Sequence, residues 1–236
     1  MDRKTPLAQL DHFVGDADRR LGVLADVGWL ASQPAEFRAL IARAGTWRRA
    51  NAGEVIYLAG EEPDGLYGLG EGALEIHSPL ISEEQVVLHR AEPGFWIGEA
   101  AILSGKTRMV SLSAASDCRF FFVPTSRLRG IVKDDPRHLR SMLEQSNMNV
   151  TTALRLLAEA LSLTPRARIA RLLLRLADDG GAVEGSQEDF ARVLGMTRSS
   201  VRRAMASLID IGVIETGYRH YVIVDPDRLE QMTKEA

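Results

Sequence analysis

The stretch "SQEDFARVLGMTRSSVRRAMASLIDIGVIETGYRHYVIVDP", residues 186–226, decides how the chain is read. Ser186, with Asp189 three residues on, is close to a capping box, and Phe190, Val193 and Leu194 give a short helix its apolar face before Gly195 closes it. Thr197 then serves as N-cap of a second helix that buries Val201, Met205, Leu208 and Ile209. Two short helices around a glycine-containing turn predict a helix-turn-helix. The second helix opens with Arg198, Ser199, Ser200, Arg202 and Arg203 and meets no acid before Asp210, so its start is cationic. "GVIETGYRHYVIV" predicts two short strands around a Gly-Tyr turn, a wing with Arg219 and His220 at its tip. A solvated cationic face on a packing helix accounts for "RSSVRR" alone, but not for a second basic feature beside it. Arginines there can bridge guanine N7 and O6 or neutralise phosphates, and Ser and Thr can donate to either. Thr197, Arg198, Ser199, Ser200, Arg202, Arg203, Arg219 and His220 are therefore the candidate DNA-binding residues.

Upstream, "RARIARLLLRLADDGG" predicts a helix ending at a Gly pair, and "SLTP" (162–165) disfavours helix at Thr164. Before that break a long helix is expected from Pro136 to about Leu161. Leu139, Leu143, Ser146, Val150, Ala153, Leu157 and Ala160 alternate by four and three along it, a heptad seam that suits pairing with its twin or packing on the chain's own sheet domain. Met142, Leu154 and Leu161 give a further apolar face. Between Trp47 and Val123 the texture is short β-branched and aromatic runs broken at Gly60, Gly65, Gly70, Gly72 and Gly94, which suits an antiparallel barrel or sandwich. Leu24, Phe37, Leu40 and Ile41 mark short helices before it, interrupted by Pro34. The expected organisation is α+β: residues 1–134 as N-terminal helices and β-roll, 135–161 as a dimerisation helix, and 162–236 as a winged helix-turn-helix.

Composition narrows the class. With 236 residues, 45% hydrophobic and 26% charged, the chain has the balance of a globular protein large enough for two domains. No apolar run approaches the roughly 20 residues of a membrane helix, and no apolar segment follows the basic start, so a membrane or secreted protein is not expected and a cytoplasmic one is. The net charge of −3 leaves nucleic-acid binding to local patches. A single cysteine, Cys118, excludes an iron–sulfur ligand set.

"WIGEAAILSGKTR" (96–108) admits three readings. A P-loop needs a glycine where this chain has Ala100, and a helix where "RMVSLSA" is strand-like, so nucleotide hydrolysis is not expected, nor is any other enzyme activity. A structural loop would have Glu99 capping a helical turn and Arg108 pairing with it. An anion site would use backbone N–H groups after Gly98, the charge of Arg108, and Glu99 as acceptor for a sugar hydroxyl.

The order of β-roll, long helix and winged helix-turn-helix resembles the catabolite-activator (CRP/FNR) family of bacterial transcription regulators over about Leu24 to Val224. "GLYGLGEGALEIH" is similar to the family's β-roll signature, "FWIGEAAIL" to its phosphate-binding cassette and "LGMTRSSVRR" to its recognition-helix entry. The resemblance implies a homodimer joined by the 135–161 helix, bound to a near-palindromic duplex site under control of the β-roll, with RNA polymerase as a further partner. It also implies that Gly98 and Glu99 face a ribose and that Arg108 holds a cyclic phosphate. Two departures argue against a typical cyclic-AMP response. Met109 stands where cyclic-AMP responders carry Ser or Thr, and a missing donor at a buried phosphate costs about 1–3 kcal/mol. Ala153 and Leu154 stand where an adenine-binding Thr-Ser pair is expected, with Thr151-Thr152 about two positions early. Haem through His12, His77, His89 or His138 is not expected, and the effector stays open. In the reading helix Arg203 matches the family's guanine-reading arginine, Ser199 replaces a cytosine-reading glutamate, and Arg202 replaces a small residue. The alternative function is a ligand-binding module that acts on a partner protein without specific DNA recognition; salt-dependent duplex binding separates the two.

Overall fold

The computed structural model of the chain describes residues 16–78, 86–217 and 220–235. Arg219 and His12 therefore lie outside the described residues. The framework divides into two compact units, Met1–Gln85 with His89–Thr151, and Val86–Leu88 with Thr152–Ala236.

Among the described residues the first unit opens with helical turns at 16–21, Gly22–Ala25 and Leu30–Ser32, followed by α1 (Ala35–Ala44). Pro34 sits at the N-cap of α1, where its fixed φ starts a helix and its missing N–H costs nothing. Among the described residues eight strands follow: β1 (Thr46–Ala50), β2 (Val55–Tyr57), β3 (Gly65–Glu71), β4 (Leu74–Ser78), β5 (Val86–Ala91), β6 (Trp96–Ile97), β7 (Ser111–Ala114) and β8 (Cys118–Pro124). They form two four-stranded sheets ordered β1-β8-β3-β6 and β2-β7-β4-β5. In the first, Tyr67 lies opposite Phe122 and Ile97. Between β6 and β7 lies the short α2 (Glu99–Ser104); α3 (Thr125–Asp134) leaves β8 through Pro124.

Two apolar clusters hold this unit. One gathers Trp29, Phe37, Leu66, Trp96, Phe121 and Met142, with the Trp29 and Trp96 rings edge-on at 5.5 Å. The other fills the roll with Tyr57, Tyr67, Leu74, Leu112, Phe120 and Phe122. The clearest backbone constraint is at Gly28, whose φ is 79° and where an added methyl would lie 1.9 Å from Gly94 O. Only glycine lets these two loops approach so closely.

Helix α4 runs from His138 to Ser162. It buries Ser141, Met142 and Gln145 against the first unit, and Ser141 O accepts from Trp29 Nε1 at 2.8 Å. In the single chain Leu139, Leu143, Val150 and Leu157 of the heptad seam are exposed, as are Leu154 and Leu161, the last at 78%.

The second unit holds the last turns of α4, then α5 (Pro165–Leu176), β9 (Ala182–Glu184), α6 (Gln187–Leu194), α7 (Arg198–Asp210), β10 (Ile214–Thr216), β11 (His220–Ile223) and α8 (Pro226–Met232). One expectation is corrected here and another extended. Helix α5 stops at Leu176, short of the Gly pair, because Asp178 Oδ1 accepts from Gly180 N at 2.9 Å and Ala182 N at 2.8 Å and folds those residues into a turn. The expected strand pair β10-β11 is present, and β9, from before the helix-turn-helix, adds a third strand in the order β10-β11-β9. Ile169, Leu173, Phe190, Val201, Met205, Leu208 and Tyr221 make up much of the core.

Candidate nucleic-acid interface and effector site

The reading helix is built from its caps. Ser186 Oγ accepts from Asp189 N while Asp189 Oδ2 accepts from Ser186 N, a complete capping box for α6. Gly195 ends α6 in the left-handed region at φ 57°. Thr197 Oγ1 accepts from Ser200 N at 3.2 Å and lies 3.1 Å from Ser199 Oγ, which fixes where α7 starts. With Val201, Ala204, Met205 and Leu208 buried, Thr197, Arg198, Ser199, Arg202 and Arg203 are left exposed and Ser200 half-buried. The Arg202 and Arg203 side chains make no hydrogen bond or ion pair among the described residues. Arg198 does: its Nη2 lies 2.6 Å from Glu188 Oε2 on α6, a partner that spacing alone did not reveal. His220 opens β11 and its carbonyl accepts from Gly217 N at 2.8 Å, closing the wing turn.

In the first unit, Gly98 caps α2 at φ 116°; a methyl there would lie 2.7 Å from Gly65 O and 3.1 Å from Arg108 Nη1. Glycine lets the cassette press against strand β3 and the guanidinium. Arg108, 4% exposed, donates from Nη2 to Asp64 Oδ1 at 2.6 Å and Gly65 O at 2.9 Å. Its guanidinium carbon stands 3.8 Å from the Tyr57 ring centroid. Tyr67 OH donates to the same Asp64 carboxylate at 2.7 Å. Burial pushes both the Tyr57 and Tyr67 phenols well above their ordinary range, so both stay neutral.

Glu99, 2% exposed, does not pair with Arg108 as the structural-loop reading expects. Its Oε1 accepts from Asn149 Nδ2 on α4 at 3.0 Å, and that amide also donates to Trp96 O at 3.1 Å beside Gln145 Nε2 at 2.6 Å. Burial raises the Glu99 carboxyl pKa, offset in part by the Asn149 amide. Glu99 Oε2, Arg108 Nε and Gln145 Oε1 are buried without a hydrogen-bond partner among the described residues. An acceptor and a charged donor thus lie unpaired within one cassette, where an unpaired buried group is costly. Met109 is not part of it: its side chain is 73% exposed, because the chain turns outward after Arg108. Asp64, Tyr57, Asn149 and Gln145 were missed from sequence; Asp64 alone carried a signal, standing immediately before the quoted "GLYGLGEGALEIH".

The remaining histidines lie elsewhere: His77 Nε2 is 2.7 Å from Ser113 Oγ, His89 packs on Phe95 and His138 on Phe37. Among the described residues, no helix is long and apolar enough to cross a membrane.

Comparison with known proteins matches residues 47–135 to the cyclic nucleotide-binding domain family and 167–232 to the Crp-like helix-turn-helix domain family. The transcriptional regulator LdrP of Thermus thermophilus is 31% identical over 191 residues, covering 75% of this chain and 92% of LdrP. The chain belongs to the CRP/FNR family. Another member, the CRP-like cAMP-activated global transcriptional regulator of Mycobacterium tuberculosis, is 24% identical over 77% of this chain and 85% of its own. The solved structure of FixK2 from Bradyrhizobium japonicum shares the CRP/FNR fold with a TM-score of 0.70, at 22% identity, over 81% of this chain and 98% of FixK2. As a CRP/FNR member the protein is a DNA-binding transcription regulator that carries a cyclic-nucleotide-binding-like domain.

Proposed function

We propose that this regulator acts in the cytoplasm as a homodimer on a near-palindromic duplex site, with residues 1–134 as sensor, 135–161 as dimer helix and 162–236 as reader. The observation that carries the reading is the capped start of α7, which presents Arg202 and Arg203 uncovered and without partners among the described residues. The exposed seam Leu139, Leu143, Val150 and Leu157 supports pairing of two copies through α4. Two-fold symmetry then sets half-sites about one helical turn apart. Contact with RNA polymerase belongs to the same proposal and rests on family membership.

Gel-shift on the organism's own promoters tests the reading; no specific complex at any promoter at moderate salt would sink it. The individual roles separate by mutation. Arg203→Ala is expected to relax base preference at one position by about 1–3 kcal/mol, whereas Arg202→Ala, as a phosphate contact, weakens all sequences alike and lowers the salt slope. Equal losses on specific and random DNA for both variants would overturn these assignments.

The unpaired Arg108 Nε and Glu99 Oε2 support a small anionic effector that also carries a hydroxyl donor. Cyclic AMP, which activates the mycobacterial relative by name, fits this chain poorly. No hydroxyl follows Arg108, and Ala153 and Leu154 are exposed apolar residues on α4. Calorimetry with cyclic AMP and cyclic GMP is expected to give no binding tighter than roughly tens of micromolar; sub-micromolar binding of either would refute this.

A further inference from the structure

The junction between α4 and α5 is held by side chains that the DNA-reading and effector residues do not account for. Only Leu163 and Thr164 separate the two helices. Thr164 caps α5 through its side chain and gives its backbone N–H to Glu235 O at 3.2 Å. Arg166 pairs with Glu235 through Nη2–Oε2 at 2.6 Å, and its Nη1 reaches Ser207 Oγ on the recognition helix at 3.3 Å. Arg171 donates from Nη1 to Glu159 Oε1 on α4 at 2.9 Å and from Nε to Thr233 O at 2.9 Å. The segment after α8 thus strikes both guanidiniums, one of which holds the end of α4 while the other touches α7. A planar guanidinium that donates in several fixed directions restrains angles as well as distances.

We infer that Arg166 and Arg171, with Glu235 and Glu159 as their counter-charges, are positioning residues that fix the direction of α7 relative to the last turns of α4. They set the half-site spacing a dimer accepts, not the bases it reads. The junction is a lever, since a small rotation at Thr164 moves the start of α7 by more than it moves the junction itself. None of the four side chains lies on the exposed start of α7. The inference rests on the dimeric DNA-binding reading above.

The experiment uses the full-length protein and three variants, Glu159→Gln, Glu235→Gln and the double. Each replacement keeps the side-chain shape and removes the charge, and neither glutamate belongs to an apolar cluster, so the fold is retained; far-UV circular dichroism and a melting curve verify this. The probes are duplexes carrying two half-sites selected for the wild-type protein, with the spacing left intact or changed by one or two base pairs, and a duplex with one half-site. The wild-type protein is expected to bind the intact spacing far more tightly than the altered ones. Each single variant is expected to shrink that ratio by about threefold and the double by about tenfold, with single-half-site affinity and its salt slope unchanged. A double variant that keeps the wild-type spacing ratio, or one whose single-half-site affinity falls in parallel, overturns the inference while the dimeric reading stands. A wild-type protein that binds no paired half-sites removes that reading, and the inference with it.

Discussion

A Leu157→Glu variant is expected to stay monomeric at concentrations where the wild-type chain forms a dimer, and to lose binding to paired half-sites. Leu157 sits near the C-terminal end of the α4 seam with more than half its surface exposed in the single chain, so the substitution leaves the fold of that chain untouched. In a two-fold interface the change acts twice. Burying an unpaired carboxylate where a leucine stood costs about 2–3 kcal/mol per chain at the least, so about 5 kcal/mol per dimer and a rise in Kd of roughly a thousandfold or more. Sedimentation velocity across a concentration series measures it. An unchanged dimer constant would show that α4 pairs along another face or does not pair.

Replacing Gly28 by alanine is expected to lower the unfolding free energy by about 3 kcal/mol, the sum of two independent terms. A left-handed φ of 79° costs an L-residue about 1–2 kcal/mol, and forcing a methyl into Gly94 O, 1.9 Å away, costs about 1–3 kcal/mol more because that oxygen is backbone. Gly53→Ala is the control: its φ is 82°, but nothing lies within 4 Å of the added methyl, so only the conformational term applies. Urea titrations of the two variants should separate them by the steric term. Equal midpoints would mean that the loops carrying Gly28 and Gly94 part freely.

What the sequence revealed and what it withheld divide along range of interaction. The reading helix was legible because caps and apolar spacing act within one or two turns: Ser186 with Asp189, Thr197 with Ser200, and Val201, Met205 and Leu208 on one face. The β texture was legible in its runs but not in its pairings. Strand β9 has three residues and no alternation to mark it, so the third strand beside the wing went unseen. The cassette was half legible. Gly98, Glu99 and Arg108 come together, yet the side chains that hold them are distant in sequence, Asp64 at 44 residues from Arg108 and Asn149 at 50 from Glu99. Such partners are fixed by sheet register and by the docking of α4, neither of which has a local pattern. Met109 shows the converse, since a position chosen by its neighbour in sequence turned its side chain to solvent.

The chain has three tryptophans, and Trp29, Trp47 and Trp96 all lie in the first unit, two of them ring-to-ring beside the cassette. The second unit has none. Tryptophan fluorescence of the unlabelled protein, excited beyond the absorption of tyrosines such as Tyr221, therefore reports on the first unit alone. Any change in its intensity or wavelength when DNA is titrated in measures transmission from the reading helix back to the cassette. Reciprocity of linked equilibria requires an effector that alters DNA affinity to have its own affinity altered equally by DNA, so one optical titration reads that coupling from either end.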